Sequence, residues 1–338
     1  MIDPFVLLAP VLLLGIVALL RFVGCSFQHG VASPNPPSNV RAQAGIDARI
    51  TVSWDSVVDA VSYKVYRTGG AAQDPAMAST SPYLDTAVMI GTTYYYKVKT
   101  LGPHGSESSF SNEVSATPGP ITWVQGGAPA ERAQIDATDT VFTNPFASDV
   151  TMGNLIVVWI KYNSNTEQVV PGSGVTDSAG NQYYRAGDQT TGMGSLAGWR
   201  EEIWYATIGQ AVPNLTLTAK FTGAFNGKKA ISPHEYKWAN PTEPLELASG
   251  KAGVTANPAT VAATDTVMAT AARLVFGAAV IQNMGSSGSS FSQRSSQDGD
   301  VAEDMPITSL PSSVSATFLV VSPPGMSQDW IAQVATFK

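Results

Sequence analysis

Histidine is the commonest acid–base residue, and this chain has three: His29, His104 and His234. None has a second His at metal-ligand spacing. In "SPHEYKW", His234 neighbours Glu235, but consecutive strand residues face opposite ways, so the two do not converge. No Gly-x-Ser-x-Gly elbow is present to expose a nucleophilic serine. Two carboxylates, Glu201 and Glu202, sit between Trp199 and Trp204 in "GWREEIWYA". A carboxylate pair held across a cleft could hydrolyse a glycoside. On one strand, however, these two diverge, and the segment reads as an exposed edge with a Trp turned inward. The spacing therefore predicts no catalytic residues and no enzymatic activity.

Two binding chemistries remain. In "SQDGDVAEDM", Asp298, Asp300, Glu303 and Asp304 cluster around a glycine. Oxygen-rich loops of this kind can hold a structural Ca²⁺, although the twelve-residue EF-hand pattern is missing. Apart from that ion, no cofactor is expected. Five of the seven tryptophans lie between positions 159 and 330. Trp159 and Trp330 fall inside apolar strands and read as core. Trp199 and Trp238 lie in polar, turn-like settings; with Glu201 they are the candidates for stacking on a sugar ring or a partner protein.

Composition narrows the class of protein. Only 13% of the 338 residues are charged, while glycine (30) and proline (22) are abundant. That balance suits exported β-rich modules. The net charge is −7, with −1 over residues 1–120 and −6 beyond. No Lys/Arg cluster exists to neutralise phosphates, which argues against nucleic acid as a partner. The single cysteine excludes an intrachain disulfide.

The elements that carry these residues begin with an apolar N-terminus. From Pro4 to Leu20 there are 17 uncharged residues, a helix of roughly 26 Å at about 1.5 Å per residue. Phe5, Leu12 and Leu20 would face lipid, and Arg21 would snorkel to the headgroups. Asp3 and Pro4 suit the N-cap and first turn. "FVGC" resembles a bacterial lipobox, with Cys25 as a lipidation site. Against it stand the lack of a basic n-region and the position of Arg21. An uncleaved transmembrane anchor over 1–25 is the expectation, with membrane lipids and membrane proteins as partners and the body outside the cytoplasm. Residues 26–36 form a Pro-rich linker.

The period then changes to two. "ARITVSW", "VSYKVYR" and "TTYYYKVKT" alternate apolar and polar residues between Gly-rich turns, as short antiparallel strands do. With "SNEVSATP" closing the run, residues 37–118 resemble a fibronectin type III domain. The resemblance maps the buried strand tryptophan to Trp54, its aromatic neighbour to Tyr63 and the tyrosine corner to Tyr94. It implies a spacer or a protein-binding surface and no particular ligand.

From 119 to 338 no convincing helix appears. "NLIVVWIKY", "EEIWYATI", "NLTLTAKFTG", "ARLVFGAAVIQ", "VSATFLVVS" and "DWIAQVATFK" read as strands, and "VTDSAGNQYYRAG" as a hairpin. The whole is similar to jelly-roll or concanavalin A-like modules of exported bacterial proteins. The expected protein is all-β: a single transmembrane helix, a fibronectin type III sandwich and a larger jelly-roll-like β-sandwich. Its expected role is a non-enzymatic, membrane-anchored structural or interaction protein, an accessory subunit of a membrane assembly. The alternative is a surface protein that binds a glycan or another polymer.

Overall fold

The computed structural model describes residues 33–45, 49–69, 76–78, 80–127, 130–237, 239, 242–255, 260–270, 273–307, 311–321 and 326–338. The expected membrane helix, with Phe5, Leu12, Leu20, Arg21 and Cys25, lies outside these residues, as does Trp238. Among the described residues no helix is long and apolar enough to cross a membrane. Regular structure there is β, apart from two short 3₁₀ turns.

The first module has seven strands: β1 (Arg41–Gly45), β2 (Arg49–Ser53), β3 (Ser62–Thr68), β4 (Ala76–Ala78), β5 (Tyr83–Asp85), β6 (Tyr94–Leu101) and β7 (Val114–Ala116). They form a three-stranded sheet, β1-β2-β5, and a four-stranded sheet, β4-β3-β6-β7. The alternation seen in the sequence decides what is buried. Ile50 and Val52 of one sheet meet Tyr63, Val65, Tyr96 and Val98 of the other. Trp54 packs edge-on against Tyr63 at 5.1 Å. The Tyr94 hydroxyl accepts from the Met89 backbone N–H at 2.9 Å, closing the corner before β6.

The second module divides by sequence. Its first part comprises β8 (Thr122–Gly126), β9 (Arg132–Phe142), β10 (Leu155–Asn163), β11 (Val175–Asp177), β12 (Tyr184–Arg185), β13 (Thr190–Thr191), β14 (Trp199–Thr207) and the long β15 (Leu217–Lys237). All eight join one antiparallel sheet along the path β11-β15-β10-β14-β12. The second part comprises β16 (Leu245–Thr255), β17 (Thr260–Ala263), β18 (Val267–Ala269), β19 (Leu274–Ile281), β20 (Met284–Ser287), β21 (Ser292–Gln297), β22 (Asp300–Pro306), β23 (Ser312–Val314), β24 (Thr317–Val321) and β25 (Gln328–Phe337). Five of these form the sheet β16-β25-β19-β22-β21. The rest form the small sheets β17-β24-β20 and β18-β23.

The two main sheets pack face to face. Leu155, Val157, Trp159 and Ile203 meet Phe276, Ala278, Ile331 and Phe337 between them. The opposite faces are covered as well. Ile156, Val158 and Trp204 pack under Tyr183 and Leu215, and Val275, Ala279 and Val334 pack under Phe318 and Val320. Strands buried on both sides explain the unbroken apolar runs "LIVVWI" and "LVFGAAVI", where half-buried strands would alternate. A jelly roll shares its strands between two sheets, whereas here each main sheet is contiguous in sequence. The expected hairpin at 175–187 is also absent. β11 pairs with β15 and β12 with β14, at opposite ends of the sheet path. The connecting segment crosses one face, with Tyr183 buried beneath it.

Candidate functional site

β12 brings Tyr184 directly opposite Tyr205 of β14. Their rings lie 5.9 Å apart, tilted by 35°. Tyr184 is 55% exposed, while Tyr205 is half-buried and braced edge-on by Phe337 at 5.8 Å. Burial pushes the Tyr205 hydroxyl above its ordinary value, with the Tyr184 phenol adding to the shift. The pair forms one side of a cleft of about 750 Å³, with Gln182, Thr207, Gln210 and Pro244 among its walls.

The wall carrying Gln182 and Gln210 is fixed before any ligand arrives. Asp177 Oδ1 accepts from the Ala179 and Asn181 backbone N–H groups, each at 3.0 Å. Asn181 Nδ2 donates to Asp177 Oδ2 and to the Gln210 carbonyl. Its Oδ1 accepts from the Gly209 and Gln210 N–H groups at 2.9 and 2.8 Å. Gly180, at φ 81°, supplies the left-handed residue that this turn needs. The carboxylate in the cleft wall, Glu243, is paired with Lys338 at 3.2 Å. The result is a rigid groove of aromatic faces, amides and hydroxyls in which the carboxylate is matched by a cation. Such a surface can stack on and hydrogen-bond an uncharged, hydroxyl-rich chain.

The residues singled out from the sequence fall elsewhere. Glu201 is not on an exposed edge: β14 lies between β10 and the short strands β12 and β13, and both Glu201 and Glu202 are fully buried. Trp159 Nε1 donates to Glu201 Oε2 at 3.1 Å. Burial raises the Glu201 carboxyl well above its usual range. Glu202 accepts from Tyr162, Gln189 and Trp204, so it positions core residues. Trp199 is half-buried, with the Lys228 ammonium 5.9 Å from its ring centroid.

The four acidic residues of the expected Ca²⁺ loop do not share a coordination sphere. "SQDGDVAED" is a hairpin, β21–β22, whose turn is Asp298-Gly299. Successive side chains of β22 alternate between faces. Asp298 pairs with Lys228, and Asp300 with Lys161 at 2.7 Å. Glu303 accepts from the Gly288 and Thr317 backbone N–H groups at 2.9 and 3.1 Å. Asp304 takes two bonds from Arg294 and one from Tyr236. Among the described residues no three His, Cys, Asp or Glu side chains converge as a metal site. His234 is fully buried against Phe276, and burial lowers it to about 3.

No family model matches the chain. Three curated relatives match part of it. One is an amylopullulanase of Thermoanaerobacter thermohydrosulfuricus, 38% identical over 100 residues, which covers 28% of this chain and 7% of that protein. Another is a poly(3-hydroxybutyrate) depolymerase of Ralstonia pickettii, 36% identical over 81 residues, which covers 24% of this chain and 16% of the relative. The chain thus aligns with well under a fifth of either enzyme. A solved Fn3-like protein from Clostridium thermocellum is 29% identical, covering 26% of this chain and 96% of its own, with a TM-score of 0.23. A further solved structure, FN3tt mut, is 20% identical, covering 25% and 97%, also with a TM-score of 0.23. The three-plus-four strand order, the buried Trp54 and the Tyr94 corner make the first module a fibronectin type III sandwich.

Proposed function

We propose that this is a non-catalytic polymer-binding protein, in which the fibronectin type III module accompanies a larger β-sandwich that holds a neutral polysaccharide chain in the Tyr184–Tyr205 cleft. The cleft is the observation that carries the reading. Two phenol rings are offered side by side, a pre-fixed amide wall faces them, and the wall's carboxylate is neutralised by Lys338. Two named relatives, both polymer-degrading enzymes by name, support a polymer as the ligand class. The buried carboxylates that could have served hydrolysis are engaged by core donors instead. With the apolar N-terminal segment as attachment, the cleft would be displayed outside the cytoplasm.

Retention of the full chain on a panel of insoluble polymers tests this directly. Neutral polysaccharides should hold it, polyanions should not, and Tyr184→Ala should elute early. A panel that retains nothing contradicts the reading.

The assembly-subunit reading keeps one observation of its own. Val321 of β24 and Met284 of β20 are directly opposed and exposed, with Leu319 nearby on β24, an apolar outer face suited to a protein partner. Migration of the detergent-extracted chain alone on a native gel would count against it.

A further inference from the structure

The cysteine count leaves the second module without a disulfide, yet its two main sheets meet at a buried pair of reactive groups. Lys161 of β10 places Nζ 2.7 Å from Oδ2 of Asp300 at the start of β22, with side chains only 1% and 4% exposed. The residues are 139 apart in sequence. The Lys161 ammonium lies over the Trp159 ring, 4.7 Å from Nζ to the centroid. The other oxygen of Asp300, Oδ1, accepts from the Ile281 backbone N–H at 2.8 Å. A third group completes the arrangement. Glu201 stands directly opposite Lys161 in the β10–β14 register, which puts their side chains on one face at neighbouring positions. It is fully buried, and its Oε1 has no hydrogen-bond partner. The other fully buried lysine among the described residues, Lys229, is held mainly by backbone carbonyls and by an Asp136 side chain open to solvent.

We propose that Lys161 and Asp300 condense into an intramolecular amide that staples the two sheets, with Glu201 as the proton carrier. Proton transfer within the ion pair gives a neutral amine and a neutral carboxylic acid. The Nζ lone pair attacks Asp300 Cγ, and Oδ1 takes the developing negative charge where the Ile281 N–H already donates. Glu201, starting as the neutral acid, delivers its proton to the Oδ2 hydroxyl, which leaves as water, and then takes one from the nitrogen. The sum is an ammonium and a carboxylate converted to one amide and one water, with Glu201 returned to its starting state. No oxidant, metal or cofactor is consumed.

The surroundings favour this outcome over a permanent ion pair. Burial raises the Asp300 carboxyl despite Lys161 beside it, and raises Glu201 further, with the Asp300 charge adding to the shift. Both acids are therefore biased to the neutral form that the reaction needs, and a buried charge pair is costly to keep. The bond would also do what a disulfide does, by restricting the unfolded chain over a long loop.

Peptide mapping of the denatured, digested full chain tests the proposal. The expected product is a branched peptide that joins the segments holding Lys161 and Asp300, lighter than their sum by one water, with no tryptic cut after residue 161. Lys161→Met and Asp300→Ala should yield only linear peptides. Glu201→Gln should slow linkage at least tenfold while near-ultraviolet circular dichroism shows a folded chain. Linear wild-type peptides at full mass would overturn the proposal, and that readout needs no variant to fold. So would a water loss mapped to a cyclic imide at Asp298-Gly299. Linkage at the wild-type rate in Glu201→Gln would overturn the role of Glu201.

Discussion

Glu303 sits between two backbone N–H donors with no cation beside it among the described residues, and burial pushes its carboxyl up to about 8 from an ordinary 4.5. His234, buried beside Phe276, moves the other way, from 6.5 to about 3, chiefly by burial and next by the Arg294 charge. Linkage gives each a pH window. Folded Glu303 keeps a proton that the unfolded chain releases between pH 4.5 and 8, so its contribution is full below 4.5 and lost as pH rises through 8. Unfolded His234 gains a proton between pH 6.5 and 3 that the folded chain refuses, so its contribution is present above 6.5 and lost as pH falls. The two oppose each other between 4.5 and 6.5. Thermal melts should therefore be highest in that interval, falling above 6.5 towards 8 and again below 4.5. Glu303→Gln should flatten the alkaline fall; an unchanged slope would rule out Glu303 as its source. In the first module, Asp85 is buried under Arg67 at 2.9 Å and the Tyr96 hydroxyl at 2.8 Å. Arg67→Leu leaves that carboxylate buried without its cation. It should cost on the order of 3–5 kcal/mol in denaturant unfolding.

Elements turn these residues into surfaces, and the β21–β22 hairpin shows how. Its turn residues, Asp298 (φ 60°) and Gly299 (φ 89°), both adopt the left-handed region, as a tight type I′ connection requires. A Cβ on Gly299 would also run into the Asn283 carbonyl oxygen. Gly299→Ala should therefore lower stability by about 1–3 kcal/mol, measured by chemical denaturation against wild type. The same hairpin marks how far sequence can be read. Asp-Gly between polar residues looks like an acidic loop, and only the pairing shows that β22 is an inner strand whose carboxylates are dealt to opposite faces. Apolar runs such as "LIVVWI" announce strands but not that both their faces are covered. The alternation in "ITVSW", "SYKVY" and "YYYKV" announces the first module well, because one buried face per strand leaves a period of two. The cleft was not legible. Tyr184 and Tyr205 are adjacent only through the β12–β14 register, which depends on a segment crossing the sheet rather than turning back as a hairpin. Lys161 and Asp300 were hidden for the same reason, since their sheets form from separate halves of the module.

At the scale of the molecule, a fibronectin type III sandwich precedes a β-module built as two contiguous sheets with covers on both outer faces. The inner sheets are rigid by burial, and the cleft forms where an edge strand of the first main sheet, β12, meets the segment leading into the second at Pro244–Leu245. A ligand held there touches both halves of the module. Binding should consequently raise the melting temperature with ligand concentration, by mass action on the folded state. Truncating an exposed aromatic anchor removes much of an interface's free energy. The decisive measurement is calorimetric titration of the full chain with a soluble neutral polysaccharide, wild type beside Tyr184→Ala. Wild type should bind saturably, and the variant should lose affinity by a factor on the order of ten or more. Equal affinity in the two proteins, or no heat of binding from wild type with any neutral polysaccharide tried, would contradict the polymer-binding reading.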